Sequence, residues 1–280
     1  MPFISNGLVH YSGIRNELRN TEFLKKGSIF IRTYLQYLHG DIIDFQHKGG
    51  TQNTDDAIIT TNGNRIAGIS YKHHKSGTFD WLNTSKNIPN LVQLKQTFDE
   101  YKTKYPSITG EYFKEHEKNL RSERDEIIYQ HLNNFTSNMI KSIFKNIYQD
   151  YSEHIIINLV STQRFLYYPK NEHNFKEFIA YDDWEYYLDT NSRAKNSAKI
   201  YRKLNDEIVN TNIRLRLCLN NGLNAFFGLS KANKYSIPCL KIQQERVDIL
   251  LKDLVEPVID EIPKPVDDAN LQLLAEVASR

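Results

Sequence analysis

Apolar side chains recur at helical spacing in three stretches of the chain. Over residues 14–40, Ile14, Leu18, Phe23, Leu24, Ile29, Phe30, Tyr34, Leu35 and Leu38 keep near the 3.6-residue period and Gly40 offers a stop, which predicts one or two helices. A helix is predicted around Asn90–Tyr105, opening after Pro89 and closing before Pro106, because the residue preceding a proline disfavours helical backbone. The charged stretch 111–150 carries Phe113, Leu120, Ile127, Ile128, Leu132, Phe135, Met139, Ile143 and Ile147 at helical intervals. A different pattern separates the first two stretches. The β-branched runs Ala57-Ile58-Ile59 and Ile66-Ala67-Gly68-Ile69 flank Asn62-Gly63, the pair whose tolerance of positive φ suits a tight hairpin.

Later elements are shorter. His154–Thr162 is apolar and β-branched, which predicts a buried strand. Residues 192–209 are expected to form a helix with Arg193, Lys195, Lys199, Arg202 and Lys203 on a basic side. Ile213–Leu219, Asn220-Asn221-Gly222 and Leu223–Leu229 suggest a second hairpin, Leu240–Gln243 a strand and Val247–Leu254 a short helix. Thr78, Asp80 and Trp81 are expected to cap and staple the helix beginning near Asn90. Pro257, Pro263 and Pro265 mark an exposed linker, so 257–280 reads as linker plus short amphipathic tail. The expected organisation is one mixed α/β (α+β) domain over 1–256, a central mixed sheet flanked by helices, followed by that extension.

Composition narrows the class. The 17 tyrosines and 14 phenylalanines among 280 residues supply apolar area for a core beneath an Asn- and Lys-rich surface. A formal charge of +2 neither demands nor excludes a polyanion, so clustering of charge matters more than its total. Cys218 and Cys239 lack a CxxC or Cys/His pattern, which makes buried thiols the expectation rather than zinc ligands. No run reaches the roughly 18 apolar residues of a membrane span and no basic-then-apolar leader pattern opens the chain. The expected setting is a cytoplasm.

The hairpin concentrates the chemistry. Asp55 and Asp56 precede its first strand and Lys72 ends its second, so the topology brings carboxylate and ammonium to one sheet edge. Carboxylate oxygens and a backbone carbonyl, here that of Tyr71, suit Mg²⁺, and an adjacent lysine can orient an attacking water and stabilise a phosphorane. Strand parity decides which aspartate counts. A two-residue Asn62-Gly63 loop places Asp55 opposite Ser70, whereas a three-residue loop through Asn64 places Asp56 there.

Asp56 with the triplet Ser70-Tyr71-Lys72 resembles the PD-(D/E)xK nuclease superfamily, and more narrowly type II restriction endonucleases; Lys26-Gly27-Ser28-Ile29-Phe30 resembles the start of the helix before that core. The resemblance implies a restriction-endonuclease-like fold and Mg²⁺-dependent hydrolysis of double-stranded DNA at a short site. Asp56, with Asp55 as second choice, and the Tyr71 carbonyl would hold metal; Ser70 would support its hydration shell and Lys72 would activate water. Two departures stand out: Ser70 replaces the commonest carboxylate and Ile31 replaces a helix glutamate, for which Glu22 is within reach. The resemblance further implies a prokaryotic source and either a symmetric homodimer, matching the two-fold symmetry of palindromic targets, or a monomer, as in some small-site cutters. A repair or junction-cleaving nuclease, and a DNA-binding protein without catalysis, are the alternatives.

Base readout requires Arg, Asn, Gln and Lys on a groove-sized element. The segment at about 211–246 has that content: Arg214, Arg216, Asn220, Asn221, Asn224, Lys231, Asn233, Lys234, Lys241, Gln243 and Gln244, with Arg214 and Arg216 expected on one face. The polar loop with Lys48, Gln52 and Asn53, and the stretch His73, His74 and Lys75, are further candidates for DNA contact beside the hairpin.

Overall fold

The computed structural model describes residues 16–26, 28, 30–48, 55–74, 78–159, 164–172, 174–179, 183–190, 194–230 and 235–246. Among these, six helices and ten strands form a mixed α+β protein with two five-stranded, mostly antiparallel sheets. The expected helices at 247–254 and 257–280 lie outside the described residues.

The first sheet is organised around the predicted hairpin. Asn62 and Gly63 adopt φ of 51° and 80°, the left-handed conformations that let a two-residue turn match strand twist. They join β2 (Ala57–Thr61) to β3 (Asn64–His74). With β1 (Asp44–His47), β5 (His154–Leu159) and β6 (Arg164–Pro169) the order is β1-β2-β3-β5-β6, and β3–β5 is the one parallel pairing among them. Helix α1 (residues 16–26) and α2 (Phe30–His39) supply Phe23, Leu24, Ile31 and Leu35 to a core shared with Phe45, Ile59, Ile69, Tyr71 and Ile156. Gly40, at φ 99°, ends α2 where the sequence places the stop.

The second sheet has the order β4-β10-β9-β8-β7, antiparallel throughout: β4 (Phe79–Thr84), β7 (Glu185–Asp189), β8 (Ser197–Leu204), β9 (Glu207–Leu219) and β10 (Pro238–Gln244). With it go α3 (Leu91–Thr103), α4 (Gly110–Asn133), α5 (Ser137–Asp150) and the short α6 (Gly222–Phe226). Thr109 caps α4 by accepting from the Tyr112 N–H. Backbone contacts divide the chain into two compact units. One contains the chain up to Gly77 and Asp150–Phe175; the other is Thr78–Gln149 with Lys176–Arg246.

Three expectations fail. The helix over 192–209 is instead the β8–β9 hairpin, turning at Asn205, φ 53°. Ile200, Leu204 and Ile208 recur every four residues and mimic a helix, but buried Ala198 and Ile200 alternate with half-buried Lys199 and Tyr201 in the strand. The basic helix side therefore does not exist: Lys195 pairs with Glu126 at 2.7 Å, and Arg202 pairs with Glu177 at 3.2 Å while lying 4.6 Å from the Trp184 ring. Residues 223–229 contain α6 rather than a strand, because Leu223, Phe226 and Phe227 bury at i, i+3 and i+4. Asp80 and Trp81 belong to β4 and cap nothing; the Trp81 indole donates to Gln244 Oε1 at 2.9 Å inside the core.

Candidate active site

Both register alternatives contribute to the hairpin. The loop has two residues, pairing Thr61 with Asn64 and Thr60 with Arg65; Ile66 then bulges and the ladder resumes as Ile59↔Ala67, Ile58↔Gly68 and Ala57↔Ile69. The extra residue flips the parity, so Asp56 comes opposite Ser70 despite the short turn. The Asp56 N–H donates to the Ile69 carbonyl at 2.8 Å, fixing the approach of the chain to the strand.

The Asp56 side chain reaches across the sheet end. Its Oδ2 accepts from the Tyr71 N–H at 2.6 Å and from the Ser70 hydroxyl at 3.1 Å. Among the described residues, no hydrogen bond reaches Oδ1. Burial raises the Asp56 pKa above the ordinary carboxylate value, opposed chiefly by the charge of Lys72 and the Tyr71 N–H, and reinforced by the charge of Glu17. Lys72 is therefore close enough to bias Asp56 toward its ionised form. Its ammonium also lies 5.3 Å from the ring centroid of Tyr151.

Glu17 is the residue the sequence reading missed. It sits on α1, where Thr21, one turn later, bonds the Tyr71 hydroxyl at 3.1 Å. Its Oε2 is 3.0 Å from His47 Nε2, and its charge acts on both Asp56 and Tyr71. The spacing Glu17, Thr21, Leu24 follows the buried side of α1 and was available as a signal. Glu22, the earlier candidate, faces away and pairs with Lys25 and Lys26 at 3.6 and 3.0 Å.

Asp55 has a different role in the geometry. Its carboxylate accepts from Ser152 Oγ at 2.8 Å and from Arg65 at 3.1 Å, and Arg65 also pairs with Glu153 at 3.2 Å. Glu153 in turn accepts from the Gly68 N–H at 2.6 Å. These bonds fasten the bulged strand to the start of β5 and direct the Asp55 carboxylate into ion pairs.

Asp56 and Glu17 offer hard oxygen donors of the type Mg²⁺ takes. Among the described residues, no group of three or more His, Cys, Asp or Glu side chains is arranged to hold a metal.

The basic and amide-rich candidates lie mainly on the second sheet. Along β9, Ile213, Leu215, Leu217 and Leu219 are buried while Arg214, Arg216 and Cys218 turn to the other face, so the two arginines share a face as expected. Lys199, Lys241 and Gln243 pair in register with them. Acids neutralise much of this face: Arg214 meets Glu245 at 2.5 Å and Lys241 meets Asp80 at 3.3 Å, while Gln243 donates to Asp80 at 2.8 Å. Gln244 is buried against Trp81, which removes it from any surface. Asn220 Oδ1 accepts from the N–H groups of Asn221 and Ile237, and Asn221 donates to the Tyr235 carbonyl, so both amides latch the chain entering β10. Cys218 and Cys239 are free thiols whose pKa values are raised by burial, Cys239 to about 11.

Of the remaining candidates, Lys48 is exposed and its N–H donates to the Asp56 carbonyl at 3.0 Å. His73 and His74 end β3. Gln52, Asn53, Lys75, Lys231, Asn233 and Lys234 lie outside the described residues. Among the described residues, no helix is long and apolar enough to cross a membrane. Comparison with protein-family models, curated proteins and solved structures gave no match.

Proposed function

We propose that the chain is a Mg²⁺-dependent endonuclease acting on double-stranded DNA at a short specific site, in the manner of a type II restriction enzyme. One observation carries the reading: Asp56 is pinned by the Tyr71 N–H and the Ser70 hydroxyl beside the central strand β3, where the charges of Lys72 and Glu17 also act. A half-buried carboxylate held by two donors is oriented for metal rather than solvated as a turn cap. Asp56 would hold the cation with Glu17 beside it, and the cation would supply charge neutralisation and a more acidic water. Lys72 would orient that water and stabilise negative charge on the phosphoryl oxygens; Ser70 keeps the Asp56 carboxylate in place. The exposed face with Arg216, Lys241 and Gln243 would read and hold the duplex.

Ser70 favours one rival, a DNA-binding protein without catalysis, because the position most often filled by a second carboxylate carries a hydroxyl already committed to Asp56. Incubation with plasmid and Mg²⁺ decides. Discrete fragments support the proposal, preference for branched substrates would indicate junction cleavage, and an intact plasmid with sequence-specific retention would leave binding alone. Lys72→Ala is expected to lower cutting by at least about 10²-fold while sparing specific binding in Ca²⁺. Cutting by that variant at the wild-type rate would remove Lys72 from the chemistry.

A further inference from the structure

The chain has two cysteines, and β9 and β10 set them directly opposite one another: Cys218 and Cys239 are register partners, flanked by the pairs Leu217↔Leu240 and Leu219↔Pro238. Both stand as free thiols. Strand parity puts Cys218 in one row with Arg214 and Arg216, and Cys239 in the facing row with Lys241 and Gln243. The Asn220 N–H donates to the Ile237 carbonyl at 3.0 Å, which marks that pair as hydrogen-bonded; such pairs recur at every second residue, so Cys218–Cys239 is the next one along. In a pair of this kind the Cα atoms lie about 5.5 Å apart, within the span of a disulfide, whereas the Cβ atoms lie up to about 5.5 Å apart and a disulfide holds them at roughly 3.5–4.5 Å. The two surroundings differ. Cys218 is half-buried, and the charges of Lys241, Arg216 and Arg124 favour its thiolate against the larger effect of burial. Cys239 is 6% exposed, and its thiol donates to Asn83 Oδ1 on β4.

We propose that Cys218 and Cys239 are a redox-active pair, closed to a cross-strand disulfide by exchange with a small disulfide of the glutathione type. The Cys218 thiolate attacks one sulfur of the small disulfide, whose S–S bond breaks and releases a first small thiol carrying the proton that Cys218 gave up. Cys239 then turns away from Asn83, loses its proton and attacks Cys218 Sγ in the mixed disulfide, releasing the second small thiol. Two protein thiols are oxidised, one small disulfide is reduced to two thiols, and the two protons pass from the cysteines to those thiols. Drawing the Cβ atoms together by about 1 Å strains the bond, and strained disulfides are the readily reduced ones rather than structural staples. In a reducing compartment the pair therefore rests open, and it closes as small disulfides accumulate. The bond would tie β9 to β10 beside Arg216 and Lys241, the next residues along the two rows. An effect on DNA held there rests on the nuclease reading, whereas the bond itself does not.

Intact-mass spectrometry of the folded, full chain incubated with oxidised glutathione tests the proposal. The wild type should become two hydrogens lighter, both cysteines should then resist alkylation in denaturant, and a peptide map should join Cys218 to Cys239 within one chain. Excess reduced glutathione should reopen the bond. Cys239→Ser should stop at one glutathione on Cys218, and Cys218→Ser should take up glutathione on Cys239 at least about 10-fold more slowly. Wild-type thiols that both stay free overturn the proposal, as do glutathione on both cysteines with no bond between them and a bond that links two chains. A bond that forms only at urea concentrations that unfold the chain, followed by far-UV circular dichroism, overturns it as well. The wild-type measurement needs no variant to fold, and since no DNA enters it, failure of the nuclease reading would leave its outcome unchanged.

Discussion

Burial opposes a negative charge on Asp56, and its neighbours set how costly that charge is. Glu17 raises its pKa and Lys72 lowers it, so a carboxyl-selective NMR titration should show the Asp56 midpoint falling in Glu17→Gln and rising in Lys72→Met. Since the net shift is upward, the neutral form is favoured in the folded state, and stability contributed by this group declines as pH rises through the ordinary carboxylate range. Asp56→Asn keeps an acceptor for Tyr71 and Ser70 and removes the buried charge; at pH 7 it should raise Tm while abolishing cutting. Gly68 is the second sensitive residue. A Cβ there would stand 2.0 Å from Asp55 Oδ1 and 2.3 Å from its Cγ, and the carboxylate is held by Ser152 and Arg65. Gly68→Ala should therefore cost about 1–3 kcal/mol in urea denaturation. Adding Asp55→Ala should recover part of that loss, because the clash disappears with the carboxylate.

At the scale of elements, legibility followed the strength of local signals. Asn62-Gly63 announced its hairpin and the Pro89 and Pro106 punctuation bounded α3, since each acts on the backbone of its own neighbours. The bulge at Ile66 was not legible, although it decides which aspartate faces Ser70, because a one-residue insertion leaves composition and periodicity almost unchanged. The β8–β9 hairpin was masked by a four-residue recurrence of Ile and Leu that only pairing with a third strand resolves. Glu17 was overlooked because its side of α1 is partly polar, with Asn20 and Thr21 buried among the apolar residues. Packing between elements also creates a pH-sensitive contact that no motif marks. On β5, His154 is buried with Nε2 2.8 Å from His39 Nε2 on α2 and Nδ1 2.6 Å from the Tyr167 hydroxyl on β6. Burial and then the His39 charge press its pKa down to about 4, against a weaker opposing effect of Glu153. Below about pH 6.5 the unfolded chain takes up the proton that the folded chain refuses, so stability falls with decreasing pH and the loss is complete near pH 4. The expected loss is about 3 kcal/mol, and urea denaturation at pH 7.5 and 4.5 should show it diminished in His154→Gln.

At the scale of the molecule, the candidate catalytic edge and the arginine face belong to different compact units, and the chain passes between those units more than once. The division predicts that contact with DNA and bond cleavage can be impaired separately, provided the nuclease reading holds. Arg216 is the more consequential arginine. It is exposed on β9, whereas Arg214 must leave a 2.5 Å ion pair with Glu245 before it can meet phosphate, which offsets much of any gain. Arg216→Ala should therefore weaken binding more than Arg214→Ala, and if Arg216 contacts a phosphate it should flatten the plot of log affinity against log salt by about 1 unit. Under saturating DNA its cutting rate should stay near wild type, since nothing at Asp56 or Lys72 has changed. Asp56→Asn should give the converse: wild-type affinity and salt slope in Ca²⁺, with no product in Mg²⁺. Filter binding across 50–200 mM salt and single-turnover cleavage measure the two quantities independently. Equal losses of affinity and turnover in both variants would mean that the arginine face and the carboxylate edge do not act as separate parts, and would return the choice of DNA-contacting surface to the polar residues flanking the hairpin.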